Sequence, residues 1–379
     1  MYNFDKEISR KGTNCYKWDV TDDREVIPMW VADMDFQTAP AIIEALKKRV
    51  EHGVFGYTKV PDEYYNAITN WFDRRHGWKI EKDWILYTTG VVPAVSVAIK
   101  AMTEPGDGVI LHTPAYNCFF SSIRNNGCKV VESPLLNDDG HFSIDYEQLE
   151  TLCSDKSNKV LLLCNPHNPT GRLWTREELQ RVYDICHKHN VSIIADEIHC
   201  ELTYNGERYV PFGTITDDAV ILGSPSKAFN IAGLQIANII CKDEGMRMRI
   251  DKAININEVC DVNPFGVIGL EAAYNEGSDW LEALRSYLYD NYLMLRQILT
   301  ERMPELKICD SESTYLSWID VSALGMPGDE VENIAKERMK VWVNSGNMYA
   351  GEGYVRINYA CPRERLKEGL DRFCRTFGK

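Results

Sequence analysis

The chain has 379 residues, 44% of them apolar, and a formal net charge of −14. That length supports a large core and favours two domains over one. The acidic balance argues against a nucleic-acid partner, because phosphate binding needs a basic face.

The stretch Met1-Tyr2-Asn3-Phe4-Asp5-Lys6-Glu7 carries charges where a secretion signal needs an apolar run, and no segment is apolar for long enough to cross a bilayer. A cytoplasmic protein without membrane contact is expected. Residues 1–40 show no sustained period and read as an extended arm packing with a small domain. Pro40 is placed to begin a helix that continues through Val50. Trp84–Tyr87 reads as a strand, and Gly90-Val91-Val92 joins it to a helix starting near Pro93.

Three apolar runs follow. Leu161–Cys164 leads into Asn165-Pro166-His167-Asn168-Pro169-Thr170-Gly171, and Val191–Ala195 ends in Asp196-Glu197-Ile198-His199. Ala219–Leu222 precedes Ser224-Pro225-Ser226-Lys227. Between the first two, Arg176–Cys186 has apolar residues at helical spacing. Strand, helix, strand predicts a parallel sheet, and the carboxyl edge of such a sheet is where ligand crevices form. Lys227 therefore sits at the end of a buried strand, where desolvation favours the neutral amine that can attack an aldehyde.

Ser278–Arg302 is rich in Leu, Tyr and Arg at helical spacing without internal Pro or Gly, and predicts a long helix. Beyond it, strands at Thr314–Asp320 and Tyr354–Tyr359 flank a helix near 329–340. In Tyr354–Asn358 the alternation places Arg356 opposite Val355 and Ile357, facing out of the core. The expected organisation is an arm over 1–40, a large α/β domain over 41–277, and a connecting helix with a small α+β domain over 278–379. The 12 cysteines contain no Cys-x-x-Cys pair and several lie in apolar runs. They read as small hydrophobes, not disulfides or metal ligands, and His187, His189 and His199 make no convincing zinc set.

The order Asn-Pro-x-Asn-Pro-Thr-Gly, Asp-Glu, Ser-x-Ser-Lys resembles the fold-type I pyridoxal-phosphate enzymes of the class I/II aminotransferase group. The wording of Ile27–Phe36, Cys164–Pro169, Asp196–His199 and Ser226–Asn230 is similar to the MalY/PatB-type cystathionine β-lyases and related carbon–sulfur lyases. The resemblance implies a large domain with a mainly parallel sheet of the seven-stranded type flanked by helices, and pyridoxal 5′-phosphate as cofactor. It implies that Lys227 forms the imine, that Asp196 faces the pyridine nitrogen, and that Asn168 and His199 contact the ring oxygen. His199 stands where many relatives have tyrosine. The phosphate falls to Gly90, Val91 and Val92 with Ser224 and Ser226, and Tyr116 stacks on the ring. Tyr57 reaches the phosphate of a neighbouring subunit, so a homodimer with shared active sites is expected, and Arg356 grips the substrate carboxylate. Gln235 occupies the place of an arginine that pairs with the phosphate in many aminotransferases. The expected reaction is α,β-elimination from cystathionine, cysteine or another S-substituted cysteine. The alternatives are transamination of amino acids and a regulatory protein on the same fold.

Overall fold

The runs Gly108–Thr113, Asn158–Cys164, Ser192–Asp196 and Val220–Gly223 are strongly apolar because both of their faces are covered. Val109, Leu111, Val160, Leu162, Ile194 and Leu222 pack into one core, while Ile110, Leu161, Leu163, Ile193 and Ile221 pack into another. With Ile85–Thr88, Lys129–Pro134 and Ala237–Ile240 they form a seven-stranded sheet. Ala237–Ile240 runs antiparallel to both of its neighbours, and the other pairs are parallel. The computed structural model describes every residue except Met1, Asn205, Glu207, Asn257, Val259, Cys260 and Lys379. Cys260 thus lies outside the described residues, and the other cysteines carry free thiols.

Helix Val91–Met102 buries Val91, Ala94, Val95, Ala98 and Ile99, the i, i+3, i+4, i+7, i+8 stripe of an amphipathic helix, against one face of the sheet. Full burial of Val95 and Ile99 stabilises the pairing by about 1.5–3 kcal/mol each. On the opposite face helix Arg176–His189 buries Leu179, Val182 and Cys186. It opens on a capping box, in which Thr175 accepts from the Glu178 amide and Glu178 returns the bond, and it closes at Asn190 in the left-handed conformation.

Register aligns the strand ends. Cys164 lies opposite Asp196, and Asp196 lies opposite Leu222. The segments beginning at Asn165, Asp196 and Ser224 therefore leave the same edge. The long helix is present over Ser278–Arg302. It leads to an antiparallel sheet in the order Lys307–Ile308, Leu316–Asp320, Tyr354–Asn358, Asn344–Ser345. From the arm, Ile27–Pro28 pairs in parallel with Val341–Trp342. That pairing carries residues 30–36 across the space between the two sheets.

Candidate active site

At the carboxyl edge lies a cavity of about 190 Å³, lined by Gly90, Val91, Val92, Tyr116, Asn168, Asp196, His199, Ser226 and Lys227 together with Ala32, Gln235 and Ile236. Nine of the sequence-predicted residues thus converge on one space, drawn from separate strand ends and one helix start. Ser224, Arg356 and Tyr57 lie outside its lining.

Three polar side chains present unspent hydrogen-bonding capacity. Asp196 is buried, and among the described residues its carboxylate receives one bond, from the Ile198 amide at 3.1 Å. Burial pushes its carboxyl up to about 7, against the pull of that amide and of Lys227. His199 is buried, and its Nδ1 has no partner among the described residues. Burial, with Lys227 and Arg356 nearby, holds its imidazole well below its ordinary 6.5, so the ring is neutral at pH 7. Asn168 accepts from Arg356 Nη1 at 3.2 Å through Oδ1.

The start of helix Val91–Met102 has Gly90 as its cap residue and no side-chain cap, so its first amides remain available to an anion. Ser226 lines the cavity. Ser224 takes a different part from the one expected: its hydroxyl donates to the Ile236 carbonyl at 2.7 Å and accepts from the Ser226 amide at 3.1 Å. It shapes the turn that presents Ser226, and its proton is spent on backbone. Gln235 is exposed on the cavity wall with a φ of 53°, closing the turn Ala232–Leu234.

Lys227 is half-buried and donates from Nζ to the Ala32 carbonyl at 2.7 Å. Burial and the positive Arg356 lower its amine from 10.5 to about 8, while Asp33 and Asp196 oppose the shift. Arg356 corrects the sequence reading. The alternation holds, but its face is covered and the side chain is only 2% exposed. Nη2 donates to the Trp30 carbonyl at 3.0 Å, the guanidinium lies 4.6 Å from the centre of the Tyr349 ring, and Nε has no partner among the described residues. No carboxylate pairs with this buried cation among the described residues. Tyr116 is half-buried at the cap of helix Asn117–Asn125, edge-on to Phe119, and burial raises its phenol. Tyr57 is 99% exposed, on a segment with exposed Val54 and Phe55.

The arm supplies what the sequence reading passed over. The carbonyls of Trp30, Ala32, Asp33, Met34 and Phe36 all accept side-chain bonds. Their donors include Arg356, Lys227, Asn358 and Asn230, along with Asn344, Lys17 and Arg10, and Tyr315 joins Lys227 on Ala32 at 2.9 Å. Tyr315 also stands edge-on to His199, with ring centres 6.2 Å apart. Ala32 and its neighbours act through backbone, which leaves no mark in residue type. Asn230, within the motif that follows Lys227, carried the readable signal.

A buried acid, a neutral imidazole with an orphaned nitrogen, an uncapped helix start and a lysine of lowered basicity suit a phosphorylated pyridine aldehyde. The sheet and this edge define a fold-type I pyridoxal-phosphate enzyme. The model of the family "Aminotransferase class I and II" matches residues 24–373, and the chain belongs to that family. It is 40% identical over 380 residues to cystathionine beta-lyase PatB of Bacillus subtilis, covering 98% of each chain. It is 36% identical to Protein MalY of Escherichia coli, covering 98% of this chain and 97% of that one. The crystal structure of the PLP-bound C-S lyase from Staphylococcus hominis superposes with a TM-score of 0.94 at 32% identity, covering 100% of this chain and 98% of that one.

Proposed function

We propose that this protein is a pyridoxal-phosphate-dependent carbon–sulfur β-lyase. It converts cystathionine, cysteine or another S-substituted cysteine to pyruvate, ammonia and a thiol. The observation that carries the reading is the full-length likeness to a cystathionine β-lyase in a chain that keeps Lys227, Asp196 and Asn168 around one cavity.

Bound pyridoxal phosphate supplies an aldehyde that captures amines and a ring that accepts the electrons released at Cα. Lys227 would hold the cofactor through its amine, and that amine would be the base that takes the Cα proton of the substrate. Its lowered basicity leaves a usable neutral fraction near pH 8. Asp196 would face the pyridine nitrogen and keep a proton on it. Asn168 and His199 would hold the ring oxygen, and Tyr116 would pack on the ring. The amides of Gly90, Val91 and Val92 and the Ser226 hydroxyl would hold the phosphate, with Ser224 fixing Ser226. Gln235 brings no charge, so the helix start carries more of the anion. Arg356 binds the substrate carboxylate, which gives this buried guanidinium the counter-charge it lacks.

The functional unit in this reading is a cytoplasmic homodimer, with Tyr57 reaching the partner's cofactor phosphate. Exposed Tyr57 and Phe55 and the exposed Val92 rim of the cavity support a covering subunit. Within each subunit, residues 41–277 form the cofactor domain and 278–379 the smaller domain that closes on it with the arm. The test is product formation from cystathionine without a keto acid. Pyruvate and ammonia in equal amounts support elimination, whereas turnover only with an acceptor points to transamination.

A further inference from the structure

A separate cleft of about 720 Å³ lies between the N-terminal arm, the end of helix Gly328–Met339 and the last helix, Arg363–Phe377. Its walls carry eight lysine and arginine side chains against four glutamates, in a chain of formal charge −14. Five of these cations are paired: Arg10 with Asp33 and Asp35, Arg365 with Asp35 and Glu7, Lys340 with Asp23, Arg372 with Glu368, and Arg375 with Asp371. Arg24 and Arg338 have no carboxylate partner among the described residues. Lys11 gives its amine to the Arg24 carbonyl and lies over the Trp18 ring at 5.3 Å.

Cations gathered against a low-dielectric wall focus a positive field, and here the wall includes Trp18, Val26 and Ile27. Guanidinium forks match the oxygens of phosphate groups, and the volume suits a small-molecule ligand. Aromatic stacking is not on offer, because Lys11 and Arg365 already lie over Trp18, the latter at 4.8 Å. Recognition here runs through charge and through directed hydrogen bonds from the guanidinium forks.

We propose that this cleft binds a small anion bearing two linked phosphate groups, with Lys11, Arg24 and Arg338 as its contacts. The cleft also adjoins the arm segment at the lysine cavity. Arg10 on its wall grips Asp33 through bonds of 2.6 and 2.9 Å, and the adjacent Ala32 accepts from Lys227. An anion that draws on Arg10 thereby alters the setting of the bound cofactor.

The test is calorimetric titration of inorganic pyrophosphate into cofactor-loaded protein at low ionic strength, with citrate as a carboxylate control. Loading fills the cofactor's own phosphate cradle, so the signal reports the cleft. Pyrophosphate should bind with a submillimolar dissociation constant, at least tenfold tighter than citrate. Binding should weaken at least tenfold in Arg24→Gln/Arg338→Gln and in the single Arg338→Glu variant. These exposed substitutions leave turnover without the anion unchanged. The visible circular dichroism of the cofactor should change with pyrophosphate in the parent and stay constant in the double variant. Absent binding, equal binding of citrate, or binding unaltered by the substitutions would overturn the site; an invariant dichroism signal in the parent would overturn the coupling.

Discussion

Arg356 Nη1 donates to Asn168 Oδ1 at 3.2 Å, tying a strand of the C-terminal sheet to the loop at the carboxyl edge of the large sheet. The bond uses the amide oxygen, which leaves the Asn168 amide group to serve as a donor. One contact thereby sets two proposed functions: the orientation of a cofactor donor and the position of a carboxylate clamp.

Arg356→Lys keeps the charge but loses the planar fork. The expected result is a loss of roughly 10- to 100-fold in kcat/KM, mostly through KM, from one charge-assisted hydrogen bond. Steady-state kinetics with cystathionine check this, alongside far-UV dichroism to confirm an intact fold. A kcat loss at constant KM would place Arg356 elsewhere in the reaction.

Lys227 should recombine with pyridoxal phosphate in a pH-dependent way. The attacking form is the neutral amine, and its pKa is lowered to about 8. Below that value the rate rises about tenfold per pH unit, and above it the rate levels off. Stopped-flow absorbance on cofactor-free protein measures the midpoint. A lysine in open solvent would show no plateau below pH 10.

Asp196 carries a stability signature of opposite use. Its folded pKa of about 7 exceeds the ordinary 3.8, so the folded cofactor-free protein retains a proton that the unfolded chain has already released. The contribution is fully present below pH 4 and is lost as pH rises through 7. Asp196→Asn keeps an acceptor for the Ile198 amide and removes the buried charge. It should stabilise cofactor-free protein at pH 8 by about 1–2 kcal/mol while lowering turnover roughly 100-fold or more. Urea unfolding at pH 5 and pH 8 checks the first part: the gain belongs to the higher pH.

Much of this site is visible in residue order. Strand ends followed by Asn168, Asp196 and Lys227 locate the cavity edge, because apolar runs report strands buried on both faces. What covers a side chain is a different matter. Alternation gives Arg356 its face, but the arm and the Asn168 loop that bury it come from distant chain. Ser224 shows the same gap, since nothing in Ser-Pro-Ser says which acceptor a hydroxyl takes. The arm's carbonyls are invisible for a simpler reason: every residue has one.

Tyr57 tests whether sites are shared. In the proposed homodimer, co-expression of Tyr57→Ala with Lys227→Ala would give hybrids in which one site carries both changes and the other carries neither. Activity of the hybrid should exceed that of either parent variant. Additive behaviour with no recovery would confine each site to one chain.

The central claim is that the amine of Lys227 carries the cofactor. Borohydride reduction of the yellow protein, followed by peptide mass mapping, should place one pyridoxyl-phosphate group on the peptide containing Lys227 and none in Lys227→Ala. A colourless protein after incubation with the aldehyde, or a label on any other lysine, would contradict it.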